Sequence, residues 1–303
     1  MTQLPLFVRL ISLCLLLWSQ ASLAYMEVTL LGTGTPRPDA ERFGPATLIE
    51  VKGRYFLFDA GRGTTIRLQQ AGIALNKIDH VFFTHLHSDH ISGFSDVWLT
   101  SWIWQRPKPI SLIGPTGTND FAQHLQKAYQ ADYSYRHKNT HLDTASFYLQ
   151  SQDISHDQIV YDEDGITITA FLVDHYPVVP AFGYRIDYDE ESIVISGDTT
   201  YADNVVKYAK GADLLIHEIA AADEGLLTRN PRLQKVLEYH TTPQQMSRLL
   251  QESKPRATVL THVLLFGVED ETVIDQIKAD YQGELRMGHD LMKIGVGKQI
   301  NFR

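Results

Sequence analysis

The chain has 303 residues, 44% of them hydrophobic, and a formal net charge of −9. This length would accommodate two domains, but α/β chains of this size commonly fold as one unit around a large core, and we expect one domain. The acidic balance argues against nucleic acid and other polyanions as partners. Because its one cysteine is Cys14, a mature chain that begins later has neither a disulfide nor a cysteine metal ligand.

The first 24 residues have the pattern of a secretory signal peptide. Arg9 is their only charge, residues 10–18 form a short apolar region, and residues 22–24 supply small side chains for cleavage. The alternatives are a membrane anchor or a buried first helix, but the apolar region is too short to span a bilayer comfortably. We therefore expect a periplasmic or secreted protein, with residues 25–303 as a single domain and no stable membrane insertion.

From Met26 onwards, β-branched and aromatic runs alternate with turns and helical patterns. Gly32 and Gly34 mark a turn, but no helix or acidic residue follows at the distances of a dinucleotide-binding fold, which excludes that cofactor. Aromatic residues at helical spacing in 96–104 predict a helix packed on the core. Strands are predicted at 28–31, 46–51, 55–59, 80–84, 109–114, 165–173, 184–186, 192–196, 212–217 and 257–262. Helices are predicted at 64–70, 118–130, 243–252 and 271–281.

The residues after the predicted strand at 80–84 concentrate metal-binding side chains. His85, His87 and His90 supply imidazoles, and Asp89 adds a carboxylate. Imidazoles two positions apart converge on one divalent ion, while Asp89 and His90 reach a second ion nearby. The alternative is a group of solvated loop histidines, but imidazoles crowded beside apolar residues cost stability unless a metal is bound. The run predicts a metal site at the carboxyl end of a strand.

His175, Asp198 and His262 each follow or end a run of apolar and β-branched residues. One histidine at a strand end is ordinarily a surface residue. Together with the first cluster, however, these three side chains would lie on one rim of one sheet. They therefore predict that the metal site has two ions.

With these residues in place, the sequence resembles the metallo-β-lactamase superfamily over nearly all of the chain after the predicted signal peptide. The resemblance rests on the His-x-His-x-Asp-His run, on Asp198 in Ser-Gly-Asp-Thr and on His262 in Leu-Thr-His. Other segments resemble the branch that contains the tRNA 3′-processing endonuclease and its arylsulfatase-like and phosphodiesterase-like relatives: 31–35, 182–185, 217–218 and 240–242. The resemblance implies an α/β fold, a four-layer αββα sandwich with two metals at one edge.

The resemblance also implies two zinc ions per chain and a division of the ligands between them. The first zinc would have His85, His87 and His175, the second would have Asp89, His90 and His262, and Asp198 would bridge both. Such a site holds a water whose pKa falls towards neutrality, so that it attacks as a bridging hydroxide, which Asp89 would orient. Nitrogen and carboxylate ligands suit zinc, with manganese or iron as alternatives.

His240 and Glu218 resemble the proton-handling pair of this branch. His240 would protonate the leaving oxygen, which suits an imidazole at neutral pH, and Glu218 would tune it. The alternative for His240 is a structural role in the Thr-Thr-Pro turn that it precedes. For His217 we expect a core or supporting role.

Two loops bear on the substrate. In tRNA-processing members a long arm between the Gly-Tyr-Arg and Ser-Gly-Asp strands grips the tRNA body. Here that connection is the short acidic segment 187–191, which would repel RNA. The loop at 36–45 is more like the arylsulfatase-like members, and Arg37 or Arg42 would hold an anionic ester unless each is a surface charge or part of a salt bridge.

These features predict an exported dinuclear zinc hydrolase of small phosphodiesters or sulfate esters. Its partner would be a small anionic ester, nucleic acid is not expected, and a homodimer is left open. The alternative is a β-lactamase or lactonase, although β-lactamases of the superfamily generally lack the bridging carboxylate that Asp198 supplies. A tRNA 3′ endonuclease and a non-catalytic, metal-stabilised binding module are further alternatives, the module being disfavoured because no ligand or acid is missing.

Overall fold

The structure is a computed structural model that describes residues 26–140 and 142–303, so the predicted signal peptide and Cys14 lie outside it. The described chain forms these strands: β1 Met26–Gly32, β2 Ala46–Val51, β3 Arg54–Phe58, β4 His80–Phe82, β5 Ile110–Pro115, β6 Leu149–Ile154, β7 Gln158–Glu163, β8 Ile166–Val173, β9 Ala181–Tyr188, β10 Glu191–Ile195, β11 Leu214–Ala222, β12 Ala257–Phe266, β13 Glu284–Met287, β14 Lys293–Val296 and β15 Asn301–Phe302.

The helices of the described chain are α1 Thr64–Gln70, α2 Ser88–Ile91, α3 Phe94–Ile103, α4 Thr118–Ala128, α5 Gln130–Thr140, α6 Asp203–Ala209, α7 Glu224–Arg229, α8 Pro231–Leu237, α9 Pro243–Ser253 and α10 Asp270–Lys278. Short 3₁₀ turns cover Leu75–Lys77 and Ala145–Phe147. Among the helices described, none is long and apolar enough to cross a membrane.

The strands pair into two sheets that pack face to face. One sheet has the order β15-β14-β1-β2-β3-β4-β5-β6, and the other has the order β13-β12-β11-β10-β9-β8-β7. Inward-facing residues of both sheets, among them Phe58, Tyr184 and Ile216, form one buried cluster between them. This is the arrangement expected when each strand alternates its side chains between two faces.

Helices cover the outer face of each sheet. On the first sheet, Trp98 and Trp102 of α3 are buried in a cluster with Leu57 and Leu112, which confirms that the aromatic helical pattern packs on the core. On the second sheet, residues of α6, α9 and α10 bury a third cluster. The layers therefore follow the order helix, sheet, sheet, helix, and the predicted αββα sandwich is confirmed.

The amphipathic helix α9 shows how local sequence sets these layers. Thr242 caps its first turn in a capping box with Gln245, and Pro243 occupies the first helical position. Its apolar residues recur at helical spacing and are buried against the sheet, and Lys254, with φ of 51°, ends it in the left-handed conformation. The chain before the cap is held against β11, because the backbone N–H of Ala220 donates to the carbonyl oxygen of Thr241 at 2.9 Å, and His240 therefore lies beside β11.

Candidate metal centre

The candidate site lies where the carboxyl ends of strands from both sheets meet. Strands β10, β11 and β12 are mutually parallel, and β8 runs in the same direction because both β8 and β10 are antiparallel to β9. Strand β4 is parallel to its neighbours β3 and β5 in the other sheet. The residues that follow β4, β8 and β10 therefore converge with one residue inside β12. They are His85, His87, Asp89, His90, His175, Asp198 and, in β12, His262.

The conformation of the run after β4 distributes its side chains over two positions. His87 is extended, with φ of −62° and ψ of 144°, so His85 and His87 project to the same side. The single turn of α2 that starts at Ser88 then turns the chain, and it buries both Asp89 and His90. The change from extended to helical backbone separates the first pair of ligands from the second.

The first group of ligand atoms belongs to His85, His87, His175 and Asp198, all within 4.8 Å of one another. Nδ1 of His87 lies 3.0 Å from Nε2 of His85 and 3.4 Å from Nε2 of His175. Burial, the largest influence, lowers the pKa of all three histidines, and that of His85 falls well below the ordinary value. Neutral imidazoles with converging nitrogens are what a divalent cation requires.

The second group comprises Asp89, His90 and His262, whose ligand atoms also lie within 4.8 Å of one another. Nε2 of His262 is 3.3 Å from Oδ2 of Asp89, and Nε2 of His90 is 3.7 Å from the same oxygen. All three residues are buried. A buried carboxylate between two imidazoles is a second potential metal position.

The carboxylate of Asp198 lies between the two groups. Its Oδ2 is 3.3 Å from Nε2 of His90 and 3.5 Å from Nε2 of His262. The same oxygen is 3.8 Å from Nε2 of His85 and 3.9 Å from Nε2 of His175. Burial favours the protonated acid, but the surrounding histidines outweigh burial and hold the pKa of Asp198 well below its usual range. Its position is that of a carboxylate shared by two cations.

His90 shows most directly that the donor set fits metal. Its Nε2 is buried and has no hydrogen-bond partner within residues 26–140 and 142–303. Burial opposes a charge on this ring, but Asp198 and Asp59 on either side outweigh burial and raise the pKa of His90 well above the ordinary value. The two carboxylates thus favour a positive charge at a buried nitrogen that lacks a partner, and a bound divalent cation supplies that charge.

Three ligands are held by hydrogen bonds to their other ring nitrogen. Nδ1 of His90 donates to Oδ2 of Asp59 at 2.8 Å, and Nδ1 of His175 lies 2.9 Å from the carbonyl oxygen of Tyr239. Nδ1 of His85 is 3.0 Å from the hydroxyl of Thr84, which itself donates to Asp59. These contacts leave Nε2 of each ring facing the site and fix its orientation.

A β-bulge positions His262. In the pairing of β11 with β12, Glu218 lies opposite Thr261 and Ile219 lies opposite Val263, so His262 is an extra residue without a partner. Its φ is 44°, in the left-handed region. A bulge redirects one side chain out of the regular alternation of a strand. It therefore lets β12 continue to Phe266 while one imidazole points into the site.

His240 and Glu218 form a buried pair next to the ligands. Nδ1 of His240 lies 3.0 Å from Oε1 of Glu218, which also accepts the backbone N–H of Thr241 at 3.0 Å and of Thr199 at 3.2 Å. Burial disfavours the imidazolium, but Glu218, followed by Asp198, outweighs it and raises the pKa of His240 to about 9. Because His240 also lies within 4.8 Å of Asp198 and His262, a proton on this ring is available at the site.

The site opens into a cleft of about 580 Å³. Arg37 lines this cleft and is exposed. Arg42 lines it too, but its guanidinium donates to the carboxylate of Asp270 at 2.6 Å and to the carbonyl oxygen of Gly288 at 2.8 Å. For Arg42 the alternative of a salt bridge is confirmed, because its guanidinium pairs with the carboxylate of Asp270.

The structure brings together every residue that the sequence assigned to the site. His217, expected to have a core or supporting role, is fully buried on the opposite face of β11 from Glu218. Sequence reasoning missed Asp59, which orients His90, and Tyr239, whose carbonyl orients His175. The signal for Asp59 was present, since it directly follows β3 at the edge where His85 follows the neighbouring β4.

Comparison with known proteins supports the ribonuclease Z branch of the metallo-β-lactamase fold. The chain is 34% identical over 280 residues to ribonuclease Z of Mycobacterium marinum, covering 89% of this chain and 99% of that protein. The crystal structure of the short form of human tRNase Z is 25% identical, with a TM-score of 0.69 over 89% of this chain and 99% of that chain. The metallo-β-lactamase fold protein YhfI of Bacillus subtilis has a TM-score of 0.70 at 19% identity, over 88% and 98% of the two chains.

These relatives overturn two predictions made from the sequence. A hydrolase of sulfate esters or small phosphodiesters is not supported, and the exclusion of nucleic acid is wrong, because relatives over most of the chain are named ribonuclease Z and tRNase Z. The acidic turn between β9 and β10 does not act on a substrate at the metal ligands. It lies at the far end of β9 from the ligands, about 25 Å away over eight residues. The Debye length in physiological salt is about 8–10 Å, so salt screens the charge of this turn from a substrate at the metal ligands.

The family comparison covers most of the described chain. The sequence model of the family described as Anti-Pycsar protein Apyc1 matches residues 26–255, which include every predicted ligand except His262. The chain therefore belongs to the Anti-Pycsar Apyc1 family and, with its ribonuclease Z relatives, to one branch of the metallo-β-lactamase fold of metal-dependent hydrolases.

Proposed function

We propose that this chain is a ribonuclease Z-type endonuclease that cleaves a phosphodiester bond of RNA, with the 3′ end of precursor tRNA as its substrate. One observation carries the chemistry: two groups of ligand atoms meet at Oδ2 of Asp198, with the protonatable His240 beside them. The choice of RNA is supported by relatives 34–36% identical that are named ribonuclease Z.

The ligands proposed for one cation are His85, His87 and His175, those for the other are Asp89, His90 and His262, and Asp198 is shared. The donor set of nitrogen and carboxylate oxygen suits zinc. Two bound cations would supply Lewis-acid chemistry, with a water of lowered pKa and a polarised phosphoryl group.

The protein's own residues supply position and protons. Asp198 and Asp89 together bring two buried carboxylates to the metal positions and offset the charge of the cations. Glu218 keeps His240 protonated and orients its ring, because Nδ1 donates to the carboxylate. The opposite nitrogen, Nε2, is then free to donate a proton to the oxygen that leaves when the P–O bond breaks.

The test is cleavage of a precursor tRNA transcript with a 3′ trailer by the zinc-loaded protein, with the cut mapped on a sequencing gel. We expect one cut at the trailer boundary, lost on treatment with a chelator and restored by zinc. Hydrolysis of bis(p-nitrophenyl) phosphate without cleavage of the transcript would refute the assignment of RNA as substrate. Cleavage that survives complete metal removal would refute the metal mechanism.

A further inference from the structure

One wall of the cleft is formed by α8 and the residues that follow it. Arg232, Val236 and Tyr239 line the cleft, and their spacing of four and three residues places them on one face of this segment. Lys235 lies on the same helix but does not line the cleft. The segment therefore presents one cation, one apolar residue and one aromatic ring towards the metal ligands.

The guanidinium of Arg232 has no charged partner within the described residues. Its side chain is exposed, and no carboxylate of residues 26–140 and 142–303 forms a salt bridge with it. On the opposite wall Arg42 is bound by Asp270. Helix α8 contains no buried residue, so the packing of the core does not account for Arg232. A guanidinium in this situation can offer a fork of N–H donors to a phosphate.

Tyr239 lies beside the candidate ligands. Its ring is half-buried and packs edge-to-face on His175, with 5.3 Å between ring centroids, and lies 4.9 Å from His240. Arg232 and the ring of Tyr239 line the same cleft. A fixed aromatic surface beside a cation can hold a base and a phosphate of one nucleotide.

We propose that Arg232 and Tyr239 form a nucleotide subsite beside the scissile phosphodiester. The guanidinium of Arg232 binds the phosphate of the neighbouring nucleotide, and the ring of Tyr239 stacks on its base. The proposal rests on the proposed function, since it requires a polynucleotide substrate. It gives this chain a means of holding RNA at the cleft although the turn between β9 and β10 is short and acidic.

The test compares the kinetics of variants on the precursor tRNA transcript and on bis(p-nitrophenyl) phosphate, which lacks a neighbouring nucleotide. Arg232→Ala should raise KM for the transcript about tenfold more than KM for the small diester. It should also lower the slope of log KM against log salt by about 0.7, the contribution of one phosphate contact on single-stranded RNA. Lys235→Ala, which removes a charge off the cleft, is the matched control and should leave both values within about twofold.

Tyr239 is tested by a pair of variants that both keep its backbone carbonyl on His175. Tyr239→Leu removes the ring and should raise KM for the transcript about tenfold, whereas Tyr239→Phe keeps the ring and should restore it. Equal KM values for Arg232→Ala and Lys235→Ala, with RNA cleaved normally, would overturn the subsite alone. Failure of the unmodified protein to cleave the transcript, with the small diester hydrolysed, would overturn the proposed function and the subsite together.

Discussion

Replacing Asp59 with asparagine tests whether a residue that touches no metal sets the affinity of the site. Oδ1 of Asp59 accepts the backbone N–H of Thr84 at 2.8 Å. Oδ2 accepts the hydroxyl of Thr84 and Nδ1 of His90, each at 2.8 Å. In Asp59→Asn the volume is kept and one oxygen stays with the backbone, but an NH₂ group then faces two donors. His90 loses the contact that fixes its ring.

Loss of a partner behind a metal-binding histidine typically weakens metal affinity 10- to 100-fold, or about 1.4–2.7 kcal/mol. We expect this loss at the cation position of Asp89, His90 and His262, measured by competition with a chromogenic zinc chelator. The matched control is Asp213→Asn, a buried carboxylate at the opposite edge of the sheet that accepts the backbone N–H of Ser192 at 2.8 Å. It should lower stability without changing affinity. Equal zinc affinity in Asp59→Asn and the unmodified protein would refute the reasoning.

Four further results are expected. Chelation of the metal should lower the unfolding temperature as well as activity, because bound cations stabilise only the folded ligand set, and an unchanged melting curve would contradict this. Asp198→Ala should bind fewer than two zinc ions per chain by elemental analysis and lose turnover, since both positions share its carboxylate. His240→Gln should retain its zinc while kcat on RNA falls about 10²- to 10⁴-fold, and full activity would exclude it as proton donor. Gly61→Ala should cost about 1–3 kcal/mol in urea unfolding, because its methyl group would overlap the backbone of Gly44 and Asp89, and unchanged stability would contradict this.

Several predictions stay untested by the described structure. The signal peptide and the periplasmic or secreted location depend on residues 1–24, which lie outside the described residues. The division into a signal peptide and one domain, the identity of the metal and a homodimer also stay predictions. Expression of the full chain with N-terminal sequencing of the mature protein would settle whether residues 1–24 are removed.

The sequence alone, through its resemblance to a known superfamily, was sufficient for the fold class and for the set of candidate ligands. Apolar and β-branched runs predicted ten strands of the described chain, β1–β5 and β8–β12, because a buried strand has a visible side-chain period. They did not predict β6 and β7, which are polar and mostly not buried, or the short strands β13–β15. The clustered histidines and carboxylates at strand ends then predicted a shared edge, because parallel strands place their carboxyl ends together. The substrate could not be predicted in this way. The net charge and one acidic turn do not determine the electrostatic potential at a cleft at the opposite end of the strands.

Only the tertiary structure decided which groups support the ligands. Asp59 and His90 are 31 residues apart and Asp89 and His262 are 173 apart, yet each pair is in contact. The bulge that turns His262 inward appears only in the register of two paired strands. The partner of Arg42 was likewise hidden, because Asp270 lies 228 residues further along the chain. The periodicity of a sequence indicates which face of a strand each side chain occupies, whereas these contacts depend on how distant strands and loops pack together.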